Sequence, residues 1–243
     1  YDPSQLVLVG ITGSDPEEVL DYVEKIEEGY PSRIDQKPKR IVPEEPDDVA
    51  AVHKQFEMDV QRPYCALGFK LKPKGNGQEN LHWDFLINLW LDGLFGVMNP
   101  DYQKWMDERI ITQSCGAEAD FGMDYAMVLV YSQTDKPEEF FALAKELIQN
   151  KKMPSDKVLN ALKIQYISAA LRSLDSFEAL AADQIRGHFQ GFDPLKAVEI
   201  LQSIDPEDIR KAVESLDLSH VSTIQIDPMK QEDVVLDNCQ EIC

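Results

Sequence analysis

"QLVLVGITGSDPEEVLDYVEKI", residues 5–26, joins an apolar run to a tight glycine turn and then to an acidic helix. Two folds can begin this way. If Gly10-Ile11-Thr12-Gly13 cradles a phosphate, the chain is a doubly wound nucleotide-binding protein. If the turn only links a strand to a helix, another fold class is open. The residues favour the link. The turn lacks the third glycine of a dinucleotide fingerprint and the Gly-Lys-Ser/Thr of a phosphate loop. Asp15, Glu17 and Glu18 crowd the first helical turn, stabilise its positive end themselves and would repel a phosphate. No parallel strand follows within about 30 residues, as a βαβ unit requires. Residues 6–12 therefore read as a buried strand. Residues 15–27 read as a helix with Asp15 as cap, Pro16 at its first position and Glu18 closing a capping box. Val19, Leu20, Val23 and Ile26 make its apolar stripe.

Downstream the character changes. "EGYPSRIDQKPKRIVPEEPDD", residues 28–48, has four prolines, many charges and little periodicity. It reads as an extended linker. Residues 49–61 and 63–71 read as strands, the first with Val52, Lys54, Phe56, Met58 and Val60 on one face and the second apolar enough to be central. Residues 72–78 read as a flexible connection. Residues 79–95 form a very apolar helix whose one polar stripe is Asp84, Asn88 and Asp92, expected to be a solvated face or, less simply, part of a peptide-binding cavity. A helix near 100–110 and an antiparallel pair, 112–121 and 123–132, come next. Helices at 137–149, 155–173 (capped by Ser155) and 175–190 follow, then short helices opened by Asp193-Pro194 and Asp205-Pro206 and a last strand, 220–228. Strands in hairpin pairs and helices in runs indicate α+β, an antiparallel β-sheet covered by helices. The expected divisions are a strand and helix closing a preceding αβ domain (1–30), a linker (31–48), an αβ domain (49–228) and a tail (229–243).

The chain has 243 residues, 24 of them basic and 44 acidic, for a net charge of −20. Such a balance argues against nucleic acid and against an anionic membrane surface, since both need a basic face. It would attract a basic peptide. No apolar run reaches the ~18 residues of a membrane span. Cys65, Cys115, Cys239 and Cys243 are too sparse for a disulfide framework, which points to a reducing, cytoplasmic setting. The chain opens on Tyr-Asp-Pro, almost on top of a strand, and is expected to be part of a longer protein.

No catalytic or metal motif assembles in the sequence. His53, His82, His188 and His220 form no His-Glu-x-x-His or His-x-x-Glu-His. His82 and Asp84 point to different sides of their helix. Cys115 has no cation or helix N-terminus predicted beside it to activate a thiol, and reads as a core residue. No catalytic, metal-binding or cofactor-binding residue is assigned, and the substrate-binding residues are left open.

Several stretches, in order, resemble the pitrilysin/insulinase family of zinc peptidases, which includes mitochondrial processing peptidase and a bacterial, cytoplasmic branch. "YDPSQLVLVGITGSDPEEVLDYVEKI" (1–26) is similar to the strand, turn and helix that close one αβ domain of that family. "LINLWLDGLFGVMNPDYQKWMDERIITQSCGAEADF" (86–121) is similar to its helix–break–helix–strand segment. "SQTDKPEEF", "IQYISAALRSLDSFEALA" and "SIDPEDIRKAVESLDLSHVSTIQIDP" resemble the segments that follow, so the likeness covers nearly all of residues 1–228. The resemblance implies two similar halves or subunits closing around a peptide chamber, with zinc held by a His-x-x-Glu-His domain absent from this chain. It also implies that 5–13 and 220–228 are equivalent closing strands. One half of such enzymes carries an Arg and, seven residues on, a Tyr that hold the substrate backbone. The matching positions here are Trp105 or Met106 and Thr112 or Gln113. The resemblance thus implies the non-catalytic second domain of a zinc-bearing half, inactive alone, with a peptide or protein substrate and a second homologous half as partners. The alternative it leaves is a non-peptidase scaffold or peptide-binding subunit of the same fold.

Overall fold

The computed structural model describes residues 2–33, 41 and 46–229. Most of the expected linker, and the tail with Cys239 and Cys243, lie outside the described residues. Among the described residues the sheet has five strands in the order β1-β5-β2-β4-β3: β1 His53–Met58, β2 Tyr64–Leu71, β3 Gly116–Phe121, β4 Ala126–Gln133 and β5 Val221–Pro228. The helices are α1 Pro16–Glu27, α2 Gly77–Phe95, α3 Tyr102–Asp107, α4 Pro137–Gln149, α5 Asp156–Ser173, α6 Phe177–Gln190, α7 Ala197–Ser203 and α8 Pro206–Glu214.

The α+β class holds, and β2 is central, as its apolar run implies. The pairing adds one feature. β1 and β2 do not form a hairpin, because β5 lies between them, parallel to β1 and antiparallel to β2. Only strand-to-strand contact decides such an insertion, and β5 is far away in sequence. β1 is also shorter than expected and exposed along its whole length, including Phe56 and Met58.

Alternation along β2 and β4 separates two faces. Cys65, Leu67, Phe69 and Leu71, with Val128 and Val130, point into a core shared with Ile87, Trp90 and Leu94 of α2 and Phe140 and Ala144 of α4. Burying each large apolar side chain contributes about 1.5–3 kcal/mol. Trp90 is fully buried, and its indole N–H donates to the Lys152 carbonyl at 2.7 Å. α2 starts two residues earlier than its periodicity shows, because Asn76 and Glu79 form a capping box.

Within the first thirty residues the expected strand differs from its reading and the expected helix does not. Residues 6–12 are not a strand, and Leu6 and Leu8 stand 62% and 70% exposed. A strand needs a neighbour for its backbone groups, and the sheet's five strands pair with one another. α1 forms where expected, with Asp15 accepting from the Glu17 N–H at 3.0 Å. That contact replaces the box expected with Glu18. Leu20 and Ile26 on its apolar stripe are exposed.

Candidate functional site

Side chains on the reverse of the sheet face away from the core. Phe56, Tyr64, Met127 and Ile224 are each between 38% and 48% exposed there. Gly68 sits among them with its Cβ position open, the nearest atoms lying 3.9–4.0 Å away. Around Gly68 and Met127 lies a concavity of about 690 Å³, also lined by Lys70, Tyr125, Leu129 and Ser222. Its walls are tethered. The Lys70 ammonium donates to the Pro46 carbonyl at 2.6 Å, and Lys72 pairs with Asp47 at 2.9 Å. The Tyr125 hydroxyl donates to Asp120 at 2.7 Å, and that carboxylate pushes the phenol up to about 12. Apolar and polar groups therefore lie side by side over a held backbone.

The Asp84/Asn88/Asp92 stripe is not a solvated face. Asp84 accepts from the Phe121 N–H at 2.8 Å. Asn88 accepts from the Ala119 N–H and donates to the Ala119 carbonyl, both at 2.9 Å. Asp92 accepts from the Tyr166 hydroxyl at 2.6 Å. These groups satisfy the outer edge of β3 and tie α5 to α2. Burial pushes the Asp84 carboxyl up to about 7 against the opposing Phe121 hydrogen bond, and burial raises Asp92. The signal in the sequence was a polar row at helical spacing on a helix otherwise too apolar to have a wet side.

The histidines are scattered. His53 meets the Thr223 hydroxyl at 2.8 Å in the β1–β5 pair. His188 stacks edge-on to Phe189, and His220 lies between Asp48 and Asp217 at 3.7 and 3.8 Å. Among the described residues no group of three His, Cys, Asp or Glu could hold a metal ion, so a zinc site does not fit them. Burial pushes the Cys65 and Cys115 thiols up to about 12, and both are protonated at neutral pH. Of the positions matched to a substrate-holding Arg and Tyr, Trp105 is core, and Thr112 is tied through its N–H to the Ser132 hydroxyl at 3.2 Å. Sequence reasoning missed Arg109, which ends the same corner with a left-handed φ of 59° and lies 3.8 Å from Asp135.

Three comparisons with known proteins agree. The family model described as Peptidase M16 inactive domain matches residues 1–166. The "Uncharacterized zinc protease YmfH" of Bacillus subtilis (strain 168) is 26% identical over 222 residues, covering 88% of this chain and 50% of that protein. The chain thus spans about half the length of the curated relative it matches. Among solved structures, an M16-like peptidase from Alicyclobacillus acidocaldarius superposes with a TM-score of 0.76 at 18% identity, covering 89% of this chain and 53% of that one. A protease from Helicobacter pylori gives 0.71 at 15%, covering 88% and 53%.

Proposed function

Because the chain belongs to the peptidase M16 family, as its inactive domain type, we propose that it forms one wall of a peptide-binding chamber in a longer zinc protease-like protein. The observation that carries this is the open sheet face, with its tethered concavity of about 690 Å³. Zinc would belong to a domain outside this chain and supply the hydrolytic chemistry there. This chain's residues would bind and align the peptide. A second homologous half, arranged as in mitochondrial processing peptidase-like members, would close the chamber, in keeping with a chain half the length of its relative. The net charge of −20 favours basic peptides through long-range attraction. The free thiols of Cys65, which is buried, and Cys115, which is half-buried, are in keeping with a reducing cytoplasm.

The test uses the full-length protein. Met127→Lys combined with Leu129→Lys should raise KM for peptide substrates at least tenfold while leaving zinc content unchanged. An unchanged KM overturns the wall reading. A full-length protein that binds peptides but neither holds zinc nor cleaves them overturns the protease reading and leaves the peptide-binding scaffold.

A further inference from the structure

The helix layer, on the other side of the sheet, holds a separate cavity of about 360 Å³, a size that small ligands occupy. Leu81 and Phe85 of α2 line it, with Tyr166 and Ala170 of α5, Leu180 of α6 and Val198 of α7. Two charged residues of α6 join this apolar lining, Asp183 and Arg186. At a spacing of three they share one helix face. Among the described residues neither takes part in an ion pair. The Arg186 guanidinium instead lies 5.7 Å from the Phe192 ring centroid.

The cavity is built before any ligand arrives. A Cβ on Gly77 would come within 1.9 Å of the Gln190 carbonyl, and one on Gly187 within 2.5 Å of the Phe192 carbonyl. Those close approaches lock the end of α6 against α2 and the following turn. The Asp193 N–H donates to the Gln78 side chain at 3.0 Å. The Tyr166 ring is fixed by its hydrogen bond to Asp92. Little ordering would be needed on binding.

We propose that this cavity binds a small zwitterion with an apolar body, a free apolar amino acid or an apolar dipeptide. The ammonium would meet Asp183, the carboxylate would meet Arg186, and the apolar part would fill the space over Leu81 and Phe85. The charges select this class. A simple anion would also face Asp183 and, close by, Asp84, whose carboxyl already feels Arg186. A simple cation would face Arg186. An uncharged ligand would offer no charged partner to half-buried Asp183 or to exposed Arg186. The site is independent of the sheet-face concavity.

The test titrates the 243-residue chain by calorimetry with L-phenylalanine, with the dipeptide Leu-Phe and with N-acetyl-Leu-Phe-amide. One zwitterion at least should bind at a single site, and the capped peptide at least tenfold more weakly than Leu-Phe. The stronger of the two zwitterions identifies the source. Arg186→Gln and Asp183→Asn, both changes of polar groups outside the core, should each weaken binding about fivefold or more. Ala170→Phe should abolish it by filling the cavity, with an unchanged circular dichroism spectrum. Met127→Glu on the sheet face should leave it unchanged, which separates this site from the chamber wall. Equal binding of the capped peptide, no binding of either zwitterion to the folded chain, or full binding by Arg186→Gln and Asp183→Asn overturns the proposal.

Discussion

At one edge of the sheet, the outward N–H groups of Ala119 and Phe121 on β3 meet Asn88 and Asp84 of α2, and the Ala119 carbonyl takes the Asn88 amide. At the other edge, β1 is bonded to β5 on one side, and every one of its residues is exposed. The two edges face the same problem, a row of backbone donors and acceptors without a next strand. β3 solves it with side chains from a buried helix. β1 is short and carries Lys54, and it sets Glu57 in register with Asp227, like charges that weaken pairing. The difference teaches that the β3 side is fixed by the fold's interior. Among the described residues the β1 side is held by its ladder to β5 and by exposed or half-exposed side-chain contacts such as Gln55 with Asp227.

The largest expected effect lies at the sealed edge. Asn88→Ala leaves the N–H and the carbonyl of Ala119 unpaired where water has little access. The cost should be about 2–4 kcal/mol, measured by urea unfolding with tryptophan fluorescence. A loss under ~0.5 kcal/mol, the size typical of surface substitutions, would mean that water replaces the amide and that β3 is no more sealed than β1.

Asp84 sharpens the same comparison through pH. Folding lifts this carboxyl from its ordinary 3.8 to about 7. Between those values the folded chain keeps a proton that the unfolded chain has released, so this group's contribution to stability falls as the pH climbs from about 4 to 7 and is level above that. An amide at this position still accepts the Phe121 N–H and cannot ionise. Asp84→Asn should therefore gain about 1–2 kcal/mol over the parent at pH 8 and match it near pH 4. Unfolding curves across that range check both limits, and a gain that does not vary with pH would remove the buried carboxylate from the account of the edge.

Arg109, in the corner that leads into β3, should give a smaller change. Its φ of 59° lies in the left-handed region, where a Cβ costs about 1 kcal/mol and glycine costs nothing. Its contact with Asp135 is long, at 3.8 Å, and exposed. Arg109→Gly should raise stability by about 0.5 kcal/mol once the extra freedom of the unfolded chain is included. Thermal unfolding reads the sign, and a clear destabilisation would show that the Asp135 contact outweighs the strain.

What could be read beforehand follows from how far each signal reaches. The helix at 137–149 and the central place of 63–71 were legible, because Pro137 and an unbroken apolar run act locally. The fate of 6–12 was not, because its apolar run reads as a buried strand without saying what it would pair with, and the residues stand exposed outside the sheet. The β5 insertion was hidden because nothing in 49–71 refers to residues 221–228. The polar stripe of α2 was visible but misread. Spacing puts Asp84, Asn88 and Asp92 on one face, and only tertiary contact shows that the face meets backbone and Tyr166 rather than water. Trp105 or Met106 and Thr112 or Gln113 stand where the resemblance puts a substrate-holding Arg and Tyr, a departure visible from residue type alone.

The smallest expected effect is at the open edge, and it is the control for the largest. Gln55 of β1 donates through its side chain to Asp227 at 2.5 Å, in an exposed position. Water can replace that donor, and Gln225 already donates to the same carboxylate at 2.9 and 3.1 Å. Gln55→Ala should change stability by no more than ~0.5 kcal/mol. Hydrogen exchange sharpens the contrast: the Ala119 and Phe121 amides should exchange as slowly as those of central β2, while alternate amides of β1 should exchange far faster. Slow exchange along all of β1, or a Gln55→Ala cost equal to that of Asn88→Ala, would mean that the exposed edge is as firmly held as the sealed one, and the contrast between them would fail.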